Sequence, residues 1–214
     1  MLGRQCAGGT AQSDSDRGKR PGGARPVARS MPHCITIESN GGGFTIDERE
    51  DTLLRGALRA GFGLPYECSV GGCGACRFEL LEGSVETLWD GAPGLSERDR
   101  KCGKRLACQS RPLGDCTVRL RPDDAYRPLR RPTRVMVRLA SRRDLTGDMV
   151  EFGFQADGPA DFLPGQYALL YLPGVTGPRA YSMSNLANAT GLWQFIVRRA
   201  GRGSSVLRPS TFGL

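Results

Sequence analysis

Eight cysteines in a chain of 214 residues are the first chemistry on offer. Three stand together as Cys68-Ser-Val-Gly-Gly-Cys73-Gly-Ala-Cys76, and Cys108 follows after 31 residues. A C-x4-C-x2-C run with a distant fourth cysteine is a spacing that wraps a 2Fe–2S cluster. Two irons need four thiolates close together, and one tight loop supplies three of them. Gly71, Gly72, Gly74 and Ala75 let the backbone pass close to the sulfides and aim N–H groups at them. Such hydrogen bonds stabilise the more negative, reduced cluster. The alternative is a zinc site or spectator thiols. Structural zinc usually takes two short cysteine pairs, and only Cys73/Cys76 forms one. Cys6 lies in the N-terminal tail, and Cys34 and Cys116 sit in strand-like runs as packing. Cys102 is the rival to Cys108 for the fourth position, but it follows the charged stretch Glu97-Arg-Asp-Arg-Lys101 and should face water. Cys108 lies in Leu106-Ala107-Cys108-Gln109, an apolar setting that can seal a cluster, and is favoured. The single histidine, His33, excludes a Rieske centre and His-rich zinc sites and leaves any Ser-His-Asp triad dependent on that residue alone.

The elements that must hold this loop follow from the apolar pattern. Cys34–Ser39 alternates as a half-buried strand, and Gly43–Asp47 pairs with it as a hairpin across a glycine turn. Asp51 or Thr52 can cap a helix to about Ala60, with Leu53, Leu54, Ala57 and Leu58 on its buried face. Arg77–Leu81 and Ser84–Thr87 bracket Glu82-Gly83 as a second hairpin, Leu95–Lys101 reads as a short polar helix, and Arg105–Ser110 and Cys116–Leu120 close the unit as strands. Residues 31–121 are therefore expected to form an α+β domain. Residues 122–132 contain three prolines and read as a linker. From 133 to 214 only strand-like runs follow: Arg134–Leu139, Met149–Gln155, Gln166–Leu172, Arg179–Ser184 and Leu192–Arg198. Their hairpin-like spacing predicts an antiparallel barrel or sandwich.

The net charge is +8. The bases are scattered, with no aromatic-interleaved stripe, so a solvated surface is favoured over a nucleic-acid partner. Residues 1–30 are rich in Gly, Ser, Arg and Asp and lack an apolar signal core. They are expected to be a disordered basic tail, or sequence ahead of a start at Met31. No apolar run approaches the ~18 residues that span a bilayer, and the cytoplasm is the expected address.

Pro65-Tyr66-Glu67-Cys68, Gly71-Gly72-Cys73-Gly74-Ala75-Cys76 and Leu106-Ala107-Cys108-Gln109 resemble a plant-type ferredoxin domain of β-grasp fold. Leu81-Glu-Gly-Ser-Val-Glu86 followed by Ala92-Pro-Gly-Leu-Ser96 is similar to the reductases of multicomponent toluene and phenol monooxygenases, and this likeness covers residues 33–121. Arg179-Ala180-Tyr181-Ser182 is an Arg-x-Tyr-Ser motif, which alone is compatible with a buried tyrosine in a strand. With Phe162-Leu-Pro-Gly-Gln-Tyr167 ahead of it and Ile196-Val-Arg-Arg199 behind, it resembles the FAD-binding barrel of ferredoxin–NADP reductase relatives. The resemblance implies that Arg179 meets the FAD pyrophosphate, Tyr181 stacks on the isoalloxazine and Ser182 lies near N5. It further implies Arg198 near the diphosphate or adenylate, and Gly203, Ser204 and Ser205 as a turn whose amides meet phosphate.

The family continues into a sixth barrel strand and a nicotinamide domain. This sequence stops at Leu214 without a G-x-G-x-x-G, and Pro209 falls where the family begins a helix. The barrel is thus expected to be incomplete, with NADH served only by a domain outside these residues. The function implied is electron transfer from FAD to a 2Fe–2S cluster and on to an oxygenase. The alternatives are an iron–sulfur flavoreductase of deoxysugar biosynthesis, a ferredoxin-only carrier with an idle barrel remnant, and a zinc-stabilised module.

Overall fold

The computed structural model describes residues 32–39, 41–47, 52–172, 175 and 177–198. Residues 1–30, Met31, Gly203, Ser204, Ser205 and Pro209 lie outside that set.

The first half is a mixed sheet wrapped on one helix. Strands β1 (His33–Ile37) and β2 (Gly43–Ile46) form the expected hairpin, with Ile35 opposite Phe44. Helix α1 (Leu53–Ala60) starts at Thr52, whose Oγ1 accepts from the Arg55 amide at 3.4 Å, and stops at Gly61 in the left-handed conformation, φ 87°. A left-handed residue that satisfies the last carbonyls is the common way to close a helix. Strands β3 (Arg77–Glu82), β4 (Val85–Thr87), β5 (Lys104–Leu106), β6 (Ser110–Pro112) and β7 (Cys116–Arg119) follow, with the short helix α2 (Glu97–Lys101) between β4 and β5. The five-stranded sheet runs β2-β1-β7-β3-β5, and only β1 against β7 is parallel. Ile35, Ile37, Phe44, Ile46 and Val118 of the sheet and Leu53, Leu54, Ala57 and Leu58 of α1 share one buried core. Leu53 and Leu54 are fully buried, so the apolar face read from the helical spacing is the packed face.

Two expectations change. The second hairpin does not form, because β3 is hydrogen-bonded to β7 on one edge and β5 on the other, and β4 pairs with β6 instead. A register shift between Leu80 and Glu82, and Gly83 at φ 88°, carry the chain out of the main sheet. The single strand expected over Arg105–Ser110 is split into β5, a 3-10 turn over Ala107–Gln109, and β6. That turn carries Cys108.

The second half is antiparallel throughout. Strands β8 (Val137–Asp144), β9 (Met149–Ala156) and β12 (Leu192–Arg198) form one sheet with β9 central, and β10 (Tyr167–Leu170) with β11 (Arg179–Ser182) forms a two-stranded ribbon. Val150, Phe152, Phe154, Phe195 and Val197 form its core, with Ala168, Leu170 and Tyr181 of the ribbon packed against them. Among the described residues these sheets do not close into a barrel; they share a core as two facing layers. The expected strand at Arg134 begins three residues later, and Arg134 instead lies over the Tyr171 ring, 5.0 Å from its centroid. Strand β8 is mostly exposed, and Arg138, Arg142 and Arg143 line it. Charge on an outer strand discourages edge-to-edge association. No helix of the described residues is long and apolar enough to cross a membrane.

Candidate iron–sulfur and flavin sites

The loop after α1 carries Cys68, Cys73 and Cys76, and the 3-10 turn between β5 and β6 brings Cys108 beside Cys76. Gly71 and Gly74 adopt positive φ, 91° and 78°. The Gly94 amide donates to the Gly71 carbonyl at 2.9 Å, and a Cβ on Gly74 would collide with the Gly94 carbonyl. The Ala92–Leu95 segment therefore packs backbone to backbone on the cysteine loop. Cys68 Sγ accepts from the amides of Gly72 (3.2 Å) and Cys73 (3.3 Å), and Cys73 Sγ from the amide of Ala75 (3.4 Å). The Cys73 thiol lies near enough to act on that of Cys68, and the Cys108 thiol on that of Cys76. Cys76 and Cys108 are buried, Cys68 is half-buried and Cys73 is exposed.

Among the described residues no three metal-ligating side chains converge on one point. The thiols meet two by two, which suits a pair of irons bridged by sulfide better than one tetrahedral zinc. The electrostatics fit a site that must hold negative charge. The Cys76 thiol is drawn down to about 7, chiefly by the hydrogen bond from Cys108, against burial. Cys108 is pushed the other way by the same bond and by burial. Burial opposes the Cys68 thiolate, but the Val70, Cys73 and Gly72 amides and the Cys73 thiol outweigh it and hold its pKa below the ordinary value.

Cys102 is exposed at the C-terminal cap of α2. Cys116 is buried in β7, its Sγ 3.4 Å from the Ser84 and Gly114 carbonyls. Cys34 is disulfide-bonded.

The Arg-x-Tyr-Ser motif is strand β11. Register pairs Leu170 with Arg179, Leu169 with Ala180, Ala168 with Tyr181 and Tyr167 with Ser182. Alternation puts Arg179 and Tyr181 on one face and Ala180 and Ser182 on the other. Arg179, Ala180 and Ser182 are exposed, and Arg179 Nη1 donates to the Pro178 carbonyl at 3.2 Å. Tyr181 is half-buried against the second core, and that burial raises its pKa. A half-open aromatic two residues from an exposed guanidinium fits a flat ring joined to phosphate. Arg198 is paired with Asp148 at 2.7 Å, both largely exposed, so an incoming phosphate would compete with a carboxylate there.

A hydrogen-bonded contact at Tyr167 joins the two halves. Tyr167 Oη lies 2.7 Å from Ser69 Oγ and donates to the Glu67 carbonyl at 3.1 Å. The phenol has one proton, so it accepts from Ser69. Ser69 is buried, and it is the one non-glycine at positive φ, 55°, among the described residues. Burial pushes the Tyr167 phenol up to about 12, against the Ser69 bond. Neither residue stood out in the sequence: Tyr167 ended a flanking motif, and nothing in a Cys-Ser-Val run announces a left-handed serine.

Residues 35–113 match the family described as 2Fe–2S iron–sulfur cluster binding domain. The chain is 47% identical over 156 residues to the ferredoxin–NAD(P)(+) reductase CarAd of Metapseudomonas resinovorans, covering 71% of this chain and 47% of that protein. It is 33% identical over 168 residues to the xylene/toluene monooxygenase electron transfer component XylA of Pseudomonas putida, covering 78% of this chain and 47% of the relative. The fold superposes on the ferredoxin reductase in carbazole 1,9a-dioxygenase with a TM-score of 0.77 and 42% identity, over 83% of this chain and 56% of the other. The chain spans about half the length of the curated relatives it matches.

Proposed function

Since this chain carries a 2Fe–2S cluster binding domain and is a homologue of the ferredoxin reductase components of oxygenase systems, we propose that it passes electrons from bound FAD to a 2Fe–2S cluster and on to an oxygenase. In the whole protein the electrons would enter from NADH. The observation that carries the reading is the union, in one chain, of four thiols paired two by two and an Arg-x-Tyr-Ser strand tied to the thiol loop by Tyr167. We assign Cys68 and Cys73 to one iron and Cys76 and Cys108 to the other. Residues 31–121 form the cluster unit, 122–132 the linker and 133–214 the flavin unit.

When bound, the flavin turns a two-electron hydride into single electrons, and the cluster carries one at a time. The chain's own part is placement. The amides of Gly72, Cys73 and Ala75 point at cysteine sulfurs and favour the more negative cluster. Buried Cys76 and Cys108 keep water from one side, while exposed Cys73 leaves a rim open to an acceptor protein. Arg179 anchors the pyrophosphate, Tyr181 supports the ring, and Ala180 and Ser182 present the strand edge to it. Arg198, and Gly203, Ser204 and Ser205 outside the described residues, are assigned to the phosphates and adenylate.

The visible spectrum of the purified chain tests this. Flavin and cluster bands together support it. Cluster bands alone, with no FAD taken up on titration, reduce the chain to a ferredoxin-type carrier. Zinc with no visible band overturns the reading.

A further inference from the structure

We propose that Tyr167 and Ser69 are a positioning pair that bridges the flavin strand to the cluster loop and fixes the path of the electron between them. The inference rests on the FAD-to-cluster reading above. Two independent observations carry it.

The first is the contact. Tyr167 sits directly across the ribbon from Ser182, the residue assigned to flavin N5. Cross-strand partners point to the same face, so the Tyr167 ring leaves the strand on the Ser182 side. Its hydroxyl reaches across to Ser69 and to the Glu67 carbonyl, the residues on either side of Cys68. Continuous covalent bonds and one 2.7 Å hydrogen bond thus run from the flavin strand to a cluster cysteine.

The second is the backbone of Ser69. Left-handed φ is unfavourable for a residue with a Cβ, and glycine would adopt it freely. The neighbouring turns at Gly71 and Gly74 use glycine. At position 69 a serine is buried in that conformation, and what it supplies beyond a glycine is the hydroxyl that meets Tyr167. Strain held at one buried polar residue points to a role for its side chain.

In the step concerned, one electron leaves the reduced flavin and enters the oxidised cluster, whose iron pair gains it. No bond forms or breaks in Tyr167 or Ser69, and neither is oxidised or reduced. The pair holds the two cofactors at a fixed separation and supplies bonded atoms between them.

The test uses the whole chain loaded with cluster and FAD, as wild type, Tyr167→Phe, Ser69→Gly and the double variant. Ser69→Gly suits the backbone and deletes the hydroxyl; Tyr167→Phe keeps the ring. A light flash reduces the flavin, and the bleaching of the cluster absorbance times the transfer. Each single variant should be slower by several-fold, because the electron's rate of passage falls with the separation of the two cofactors and with the loss of bonded atoms between them. The double variant should be no slower than the slower single one, because both act on one contact. Midpoint potentials and the reduced cluster's EPR signal should match wild type. On the chain carrying the cluster alone, amide exchange at residues 67–70 should rise in both variants. Wild-type transfer rates in the loaded variants overturn the bridge, as does a slowing that a shifted potential accounts for. A wild-type chain that holds the cluster but takes up no FAD overturns the flavin reading itself, and the bridge with it.

Discussion

Cys108 and Cys102 are close in sequence and opposite in setting, one buried beside the Cys76 thiol and one exposed at a helix end. Cys108→Ser should remove most of the visible 2Fe–2S absorbance of the purified chain, since a thiolate ligand gives way to a weaker one. Cys102→Ser should leave the spectrum intact, and equal loss in both would refute the assignment. Arg179→Ala should weaken FAD binding by about 1.5–3 kcal/mol, the worth of a hydrogen bond to a charged group. Fluorescence titration with FAD measures it, and undiminished affinity would remove Arg179 from the site. The cysteines were legible because their spacing encodes a loop. Ser69 and Tyr167 were not, because residues 98 apart in sequence meet only once both units are folded.

At the level of the elements, α2 depends on its first turn. Ser96 Oγ accepts from the Asp99 amide at 3.1 Å, and Asp99 reaches back to the Ser96 amide. Ser96→Ala should cost about 1 kcal/mol in urea unfolding near neutral pH. The Ser96 hydroxyl bond, then the Ser96 amide and the charges of Arg77 and Lys104, hold the Asp99 carboxyl below its ordinary pKa against burial. A lowered folded-state pKa stabilises fully above the unfolded value of about 4, and the effect fades as pH falls through the folded value. The gap between wild type and Ser96→Ala should therefore narrow below about pH 4; a gap constant across that range would contradict the capping account. The helix was legible from its polar run, but its cap was not, because Ser96 fell inside the expected span Leu95–Lys101. The partner of β4 was not, because it depended on which edges of β3 were already taken by β5 and β7.

At the scale of the whole molecule, the described residues form two separate apolar cores, one around Ile35, Leu53 and Val118 and one around Phe152, Phe154 and Phe195. Polar and cation–π contacts cross between them: Tyr167 to Ser69, and Arg55 over Tyr171 at 5.7 Å. Separate cores joined by a modest interface unfold separately as a rule. Calorimetry of the cluster-loaded chain should show two transitions, and removal of the iron should lower only the first unit's midpoint, since a ligand stabilises the unit that binds it. One transition that moves as a whole would show that the junction couples the halves. That the second sheet set stays open among the described residues was legible from its five strand-like runs, whereas its split into a three-stranded sheet and a two-stranded ribbon was a matter of long-range pairing.

The parallel pairing of β1 with β7 also orders events in time. Ile35 finds Cys116 across the sheet, and β7 is made after Cys108. Synthesis has therefore passed Cys68, Cys73, Cys76 and Cys108 before it reaches the strand that sits between β1 and β3. The core that Val118 of β7 shares with Cys76 and Cys108 can be completed only when every thiol of the site is already in the chain.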